Sequence, residues 1–384
     1  MKQNLSYSAD WLEQHSAKHT VNEICHQPEI WDKQWHALSA SRHIWQSFLT
    51  PLLADPNLQI VLTGAGSSAF IGKALAPWLR EKTGRDVRAY ATTDIVSTPL
   101  QYLSPNRKTL LVSFARSGNS PESVAAVELV DQLVNDCYHL MVTCNPNGAL
   151  ARYAENRTNV CSLITPEGTH DQSFAMTSSF SSMMLTTILL LGFNDFDKTR
   201  QSVEQMVAIS KARLDDWQDA TKALSTQDFK RIIYIGGSCF TGLAEEAALK
   251  VLELTAGRVI TRFDSTLGLR HGPKFMIEGT TLVVCMLSNN PYVRQYDLDL
   301  FNEIKRDGLA KKVVGLSGVS SNDSNVMSLN SDLNDIWLLF PYLIFAQMLA
   351  VETSLALGLT PDNPCPTGEV NRVVQGVNIY PFSK

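Results

Sequence analysis

The sequence predicts an α/β protein of two tandem, doubly wound parallel-sheet domains, with an N-terminal helical arm and a C-terminal tail. Three observations carry that prediction. From residue 58 onward, short β-rich runs alternate with helical stretches, as they do when crossover helices cover both faces of a parallel sheet. The pattern then recurs. Ile60-Val61-Leu62-Thr63-Gly64 matches Ile232-Ile233-Tyr234-Ile235-Gly236, Thr109 to Ser113 matches Thr281 to Cys285, and Met141 to Thr143 falls on Val313 to Gly315, each 172 residues later. Three strands at one offset predict two copies of one domain. Finally, 384 residues with 44% hydrophobic and 18% charged side chains can bury two cores. That composition excludes a disordered or coiled-coil chain.

The expected boundaries are an arm over residues 1–44, a first domain over 45–198, a helical linker over 199–216, a second domain over 217–364 and a tail over 365–384. Residues 1–55 hold His15, His19, His26, His36 and His43, five of the eight histidines, and Trp11, Trp31, Trp35 and Trp45, four of the seven tryptophans. Trp31, Trp35, Leu38 and Trp45 recur at helical spacing and give the arm an apolar face for packing or for contact with another copy. The histidines follow no recurrent metal-ligand spacing.

Leu58 to Thr63, Val87 to Ala91, Thr109 to Phe114, Leu140 to Thr143 and Val160 to Ile164 read as strands, with Ala69 to Lys82 and Pro121 to Val134 as helices between them. The charged stretch Thr199 to Gln227 bridges the two copies. A Pro-rich segment, Thr360 to Pro366, leads to a strand-like segment, Val373 to Tyr380. Two apolar stretches, Met183 to Phe193 and Ile336 to Val351, are not expected to span a membrane. The first is shorter than the roughly 20 residues required, and Pro341 and Gln347 interrupt the second. Met1 to His15 carries Asp10 and Glu13 and no apolar core, unlike a secretory leader.

Thirty-three Lys and Arg against 38 Asp and Glu give a net charge of -5. That balance argues against a nucleic-acid partner. An anionic ligand must then be held locally by hydroxyls, amides and a few cations. Seven cysteines without a CxxC pair or zinc spacing suit a reducing cytoplasm and no metal site.

Four motifs carry chemistry. Gly64-Ala65-Gly66-Ser67-Ser68 follows a strand and precedes a helix, and formally fits a dinucleotide turn. The ribose-binding acid expected about 20 residues later is missing. Two hydroxyls, Ser67 and Ser68, suit a smaller oxygen-rich ligand, while a structural glycine turn remains open. The second motif runs Ser113-Phe114-Ala115-Arg116-Ser117-Gly118-Asn119-Ser120-Pro121-Glu122-Ser123. Ser120 can cap a helix that Pro121 starts, and its free N–H groups form an anion site. Hydroxyls cluster around Gly118, and the second copy has Leu287-Ser288-Asn289-Asn290-Pro291 at the corresponding place. Only one copy is expected to hold phosphate.

The third motif, Glu246-Ala247-Ala248-Leu249-Lys250-Val251-Leu252-Glu253, puts Lys250 and Glu253 on one face of an apolar helix. Either they form a solvated ion pair, or Glu253 is a desolvated carboxylate of useful base strength. The fourth is Gly268-Leu269-Arg270-His271-Gly272-Pro273-Lys274, which holds an imidazole on a rigid exposed loop. No nucleophile triad and no GxxxxGK[ST] loop is found.

In this order the motifs resemble the sugar isomerase (SIS) domain family in a double-domain, flavodoxin-like chain, over roughly residues 45 to 384. The resemblance is to the isomerase half of glucosamine-6-phosphate synthase. It implies that Gly66, Ser67, Ser68, Arg116, Ser117, Gly118 and Ser120 bind a sugar phosphate, with Thr177 and Arg372 completing the substrate set. It implies that Glu253 shuttles a proton between C1 and C2 beside Lys250. It also implies that His271 opens the sugar ring from a neighbouring subunit, in a homodimer or larger homo-oligomer with shared sites. The family's tail lysine falls near Arg372, which can act only as a fixed cation, not as a Schiff base. Gly236-Gly237-Ser238 departs from the two-glycine turn in the second copy.

The synthase carries a glutaminase domain, whereas this chain begins with a short arm, so the same chemistry is expected to release ammonia. Members of similar length, sharing stretches such as His170 to Ser179 and Val370 to Val377, bear two labels. One is galactosamine-6-phosphate deaminase and the other is tagatose-6-phosphate ketose/aldose isomerase, and the residues leave both open. The resemblance implies no cofactor. A non-catalytic phosphosugar sensor would not need Glu253 and His271 together, and a dehydrogenase would need the missing ribose-binding acid.

Overall fold

The structure is a computed structural model that describes residues 3–374 and 376–383. A short strand, β1 (Gln3–Ser6), precedes four helices, α1 (Ala9–Gln14), α2 (Lys18–Cys25), α3 (Gln27–Ala40) and α4 (Arg42–Leu53). The first α/β series follows: β2 (Gln59–Gly64), α5 (Ser67–Thr83), β3 (Asp86–Ala91), α6 (Thr92–Ser97), α7 (Pro99–Tyr102), β4 (Thr109–Ala115), α8 (Pro121–Leu133), β5 (Cys137–Thr143), α9 (Ala149–Arg152), β6 (Val160–Ile164) and α10 (Ser178–Leu191). A 26-residue helix, α11 (Arg200–Ser225), leads to the second series. That series is β7 (Arg231–Gly236), α12 (Cys239–Leu254), β8 (Ile260–Asp264), β9 (Thr281–Leu287), α13 (Pro291–Asp307), β10 (Lys312–Ser317), β11 (Val326–Ser328) and α14 (Asp335–Ala356).

Two five-stranded parallel sheets result, ordered β3-β2-β4-β5-β6 and β8-β7-β9-β10-β11. The orders are the same, which is the α/β architecture that the strand–helix alternation predicts. The repeat is in strict register at its centre. Ile60 pairs with Leu110, and Ile232, 172 residues on, pairs with Leu282. The third match is two residues out of step: Ser113 pairs with Met141, whereas Cys285 pairs with Gly315 rather than Val313. An even shift leaves every side chain on its face, so the hydrophobic pattern cannot reveal it.

The chain forms two compact units. The first is built from Glu29–Asp171, Met176–Arg200 and the tail from Gly368; the second from the chain up to Pro28, Gln172–Ala175 and Gln201–Thr367. The units therefore interleave in sequence, whereas the expected boundaries divide it in order. Core β-strands are buried throughout: all seven residues of β4, and all seven of β9, are buried, as strands covered on both faces require.

Several expectations are corrected here. Trp31 is buried and donates to Ser181 Oγ at 2.9 Å, and Trp45 is buried and donates to Leu38 O at 2.8 Å. Those two rings pack within the first unit, which is the packing alternative that the sequence left open. Helix α14 runs unbroken through Pro341 and is long and apolar enough to cross a membrane, yet its whole apolar window is buried. A helix apolar all round is what a core helix looks like. No strand forms at 373–374 or 376–380; Gln375 lies outside the described residues. Gly376 at φ 75° interrupts the extended run, and alternation alone supplies no neighbouring edge to pair with.

Candidate active site

In a doubly wound sheet, ligands bind where the strand order reverses, beyond the carboxyl ends of the strands. In the first unit that point lies between β2 and β4, and both serine-bearing loops leave from there. Gly66 holds φ 55° where β2 turns into α5. A Cβ on Gly64 would stand 2.5 Å from that of Ser68, so strand and helix can approach only over glycine. Ser67 and Ser68 are buried at the first turn of α5. On the two adjacent strands, Thr63 of β2 and Ser113 of β4 lie side by side in register, and both hydroxyls are buried without a hydrogen-bond partner among the described residues. Buried polar groups left open call for a ligand or water.

The second loop is braced from outside. Asn145 donates to Ser117 O at 2.8 Å, Asn119 Oδ1 accepts from Ala149 N at 2.9 Å, and Gly118 takes φ 68° against the backbone of Gly148. Ser120 caps α8 by backbone only, because its hydroxyl bonds Ser123 Oγ at 2.6 Å. The first-turn amides of α8 thus keep no side-chain cap and face outward with the helix dipole. Arg116 is buried and donates to Arg372 O at 2.8 Å, and the Arg372 guanidinium donates to Asp171 O. Thr177 is differently placed. Its hydroxyl donates to Asp171 Oδ1 at 2.8 Å, so toward a ligand it can only accept. Such a group suits a sugar hydroxyl better than a phosphate.

The reversal point of the second unit, between β7 and β9, keeps the geometry but not the openings. Ser238 holds φ 54° and ψ -127° where Gly66 holds 55° and -129°, a conformation that only glycine adopts without strain. Here the amides are already bonded. Ser288 N donates to Asp297 Oδ2 at 2.9 Å, Asn289 N to Asp335 Oδ1 at 2.7 Å, and Tyr292 N to the Asn290 cap at 2.9 Å. Arg294 donates to Ser288 O and Ser317 Oγ, each at 3.0 Å. Burial pushes both Asp297 and Asp335 carboxyls up from their usual range. Built-in carboxylates therefore take the donors that a phosphate would need.

The second unit instead carries the acid–base helix. On α12, Lys250 Nζ lies 2.6 Å from Glu253 Oε2 and 3.3 Å from Glu246 Oε1. The exposures decide what this is: Lys250 is 1% exposed, Glu246 0% and Glu253 25%. It is neither a solvated pair nor an enclosed Glu253. A buried ammonium is clamped between a buried carboxylate and one that reaches solvent. Burial alone would lower the Lys250 pKa, but the two carboxylates outweigh it and raise the value. Glu253 Oε1 makes no hydrogen bond among the described residues. One oxygen is held and the other is open, as a directed base requires. Glu246 is the residue that spacing could have identified, one turn before Lys250 on the same face.

His271 is exposed on a loop between two short 3₁₀ turns, and Gly272 follows at φ 115°. The loop is pinned on both sides of the ring: Arg270 reaches Glu303 at 2.8 Å, and Lys274 reaches Glu303 and also Asp307 at 2.6 Å, both on α13. Phe275, 96% exposed, stands beside it. The imidazole is rigidly presented and has no side-chain partner among the described residues.

One cluster elsewhere gathers Asp131, Cys137 and His139. Its carboxylate accepts from His139 at 2.7 Å and Arg157 at 2.7 Å, and burial followed by Asp131 pushes the Cys137 thiol up to about 12. A protonated thiol beside a guanidinium is the reverse of a thiolate metal site.

Known proteins resemble this chain in sequence and in fold. Residues 52–191 match the SIS domain. The chain is 47% identical to the D-galactosamine-6-phosphate deaminase AgaS of Shewanella sp. (strain ANA-3), over 99% of this chain and 96% of that one. It is 42% identical to the crystal structure of tagatose-6-phosphate ketose/aldose isomerase from Escherichia coli, with a TM-score of 0.86 over 95% of this chain and 97% of that one. The C-terminal domain of glucosamine-fructose-6-phosphate aminotransferase from Francisella tularensis has a TM-score of 0.75 at 17% identity, over 90% of this chain and 98% of that one. At that identity the likeness speaks for the fold alone.

Proposed function

This chain belongs to the SIS-domain family, and from that membership and the chemistry of its residues we propose that it is a D-galactosamine-6-phosphate deaminase, yielding D-tagatose 6-phosphate and ammonia. The observation that carries the reading is the Glu246–Lys250–Glu253 clamp with its single open carboxylate oxygen. A phosphosugar sensor has no use for a base held in that way.

In this reading each sheet is one copy of the SIS domain, and only the first holds phosphate. Ser67, Ser68, Ser117, Ser120 and the α8 amides receive the phosphate, with Arg116 and Arg372 as fixed cations. Gly66 and Gly118 let the backbone come close, and Thr177 accepts from a sugar hydroxyl. His271 helps open the pyranose ring. Glu253 then takes the C2 proton from the open-chain aldehyde, giving a C1–C2 enolamine. Protonation at C1 yields a C1 alcohol and a C2 imine. Water adds to the imine carbon and ammonia leaves, so that C2 becomes the ketone. Lys250 keeps Glu253 aimed and balances its charge. Anchoring the remote phosphate converts binding energy into alignment of C1 and C2. The chemistry needs no metal or organic cofactor and suits a reducing cytoplasm, in keeping with seven unpaired cysteines.

The deciding assay follows ammonia from galactosamine 6-phosphate and glucosamine 6-phosphate in parallel. Release from the galacto sugar supports the proposal. Interconversion of tagatose 6-phosphate with its aldose, and no ammonia, would assign the isomerase activity that the Escherichia coli relative's name carries. Ser117→Ala raises KM, and sugar phosphates raise the Tm of the unaltered protein. Thermal protection by NAD and not by sugar phosphate would remove the phosphate site.

We propose further that sites are shared between copies, with His271 supplied by a neighbour. Its exposed, pinned loop and the adjacent Phe275 support this reading. Mixing Glu253→Gln with His271→Ala, each strongly impaired alone, restores part of the activity after subunit exchange. No recovery after demonstrated exchange means that each copy works alone.

A further inference from the structure

Two hydroxyls on the central strands of the first unit stand outside the proposed mechanism. Thr63 of β2 and Ser113 of β4 are register partners, both are buried, and neither hydroxyl has a hydrogen-bond partner among the described residues. Side chains two residues apart share a face of a strand, so the pair lies on the face of Val61, Leu111 and Ala115. Those three pack in one apolar cluster with Ala126, Val127 and Val130 of α8. Two polar groups thus stand in an apolar layer, just inside the carboxyl ends of the strands. The repeat shows that the fold does not need them there. At the same offset of 172 residues, Ile235 and Cys285 are register partners on β7 and β9, and both are buried. Hydroxyls hold this position in the unit whose loops are rich in serine.

The helix over this face supplies a connection to the serine loop. Ser123, Ala126, Val127 and Val130 recur at helical spacing, so Ser123 shares the sheet-facing side of α8, and it is buried. Helix α8 follows β4 and packs back along it. The turn that holds Ser123 therefore stands above the level of Ala126 and Val127, as Ser113 stands above Leu111. Ser123 Oγ accepts from Ser120 Oγ at 2.6 Å. A hydroxyl has one proton and two lone pairs. Ser120 thus directs its proton inward, whereas a phosphate dianion only accepts. Ser120 can donate to phosphate only if that proton turns outward. Ser123 can then direct its own proton at Ser120 and accept another from the sheet side.

We infer that Thr63 and Ser113 are positioning residues for the sugar phosphate: with Ser123 they hold one internal water, which donates to Ser123 and releases the Ser120 proton toward the phosphate. The inference rests on the reading of the serine loop as the phosphate site. Three hydroxyls fall within the two to four polar partners that a buried water takes, and hydrogen bonds in a chain strengthen one another. Hydroxyl protons rotate, and no covalent bond is made or broken. In the second unit, built-in carboxylates already take the amides, and the apolar pair Ile235 and Cys285 has no such chain to complete.

The test uses galactitol 6-phosphate, which has no carbonyl and cannot turn over. Its affinity is measured by calorimetry at about pH 7.5, where a phosphoester with a second pKa near 6 is the dianion. Thr63→Val combined with Ser113→Ala keeps the Tm of the unliganded protein, because apolar groups replace hydroxyls whose shared partner leaves with them. This double variant binds about tenfold more weakly, as loss of one charge-assisted hydrogen bond implies. Ser120→Ala also binds about tenfold more weakly. The triple variant binds no worse than Ser120→Ala alone, because both changes remove the same hydrogen bond. Thr63→Ser keeps the hydroxyl and the affinity. Unchanged affinity in the double variant, losses that multiply in the triple variant, or a weakened Thr63→Ser overturns the inference and leaves the phosphate site in place. No binding of galactitol 6-phosphate to the unaltered protein overturns the phosphate-site reading itself. If the double variant does not fold, a high-resolution crystal structure of the unaltered protein decides. A water within hydrogen-bond distance of the Thr63, Ser113 and Ser123 hydroxyls supports the inference, and none there overturns it.

Discussion

Glu253→Gln lowers kcat by about 10²-fold or more and leaves KM nearly unchanged. The amide keeps the shape of the side chain and can still accept from Lys250 Nζ, now 2.6 Å from Oε2, so the helix and the binding surface are retained. It cannot take a proton from C2. Glu253→Asp is also slow, because one methylene less withdraws the open oxygen from a geometry that general-base catalysis needs to within a fraction of an ångström. The measurement that separates chemistry from structure is exchange of the substrate C2 hydrogen with deuterated water. A folded Gln variant that exchanges at the rate of the unaltered protein would take Glu253 out of the mechanism.

Lys250→Met brings the largest expected loss of stability. The ammonium is 1% exposed and the carboxylate of Glu246 0%. Removing the cation leaves a buried carboxylate without its counter-charge, at a cost of about 3–5 kcal/mol, read as a lower urea midpoint at unchanged m-value. Lys250→Met combined with Glu246→Gln recovers most of that loss, because the remaining amide carries no charge. The pH dependence follows from the raised Lys250 pKa. The ammonium's contribution is complete below its unfolded value near 10.5 and is lost as pH rises through the higher folded value. The single variant thus loses its disadvantage only on the alkaline side. Equal stability of the Lys250→Met and double variants would show that Glu246 is not held by charge.

Both predictions concern a helix whose composition was legible in the sequence and whose electrostatics were not. Glu246, Lys250 and Glu253 are spaced to share a face whatever the surroundings, because that follows from 3.6 residues per turn. Which end of the face meets solvent depends on α14, a 22-residue helix that packs on α12 and begins 81 positions after α12 ends. The sequence allowed either a solvated pair or a sealed carboxylate. Packing chose an intermediate in which the ammonium is sealed and one carboxylate stays open.

The sequence by itself determined the parallel α/β class and the two central strands of each repeat. Strand–helix alternation leaves few parallel topologies, and the order that puts the reversal point between β2 and β4 came from the structure. The sequence also determined that only one reversal point is rich in hydroxyls. Only the tertiary structure decided why the other is closed. Asp297 and Asp335 lie 9 and 46 residues from the amides they accept from, and nothing local in their sequence marks them as substitutes for an anion. The same holds for Trp31, which finds Ser181 across 150 residues. It holds too for α14, which continues through Pro341 inside a core that leaves no room for a break. Local periodicity reports which face of an element is apolar. What that face meets is set by residues distant in the chain, whose contacts have no period to read.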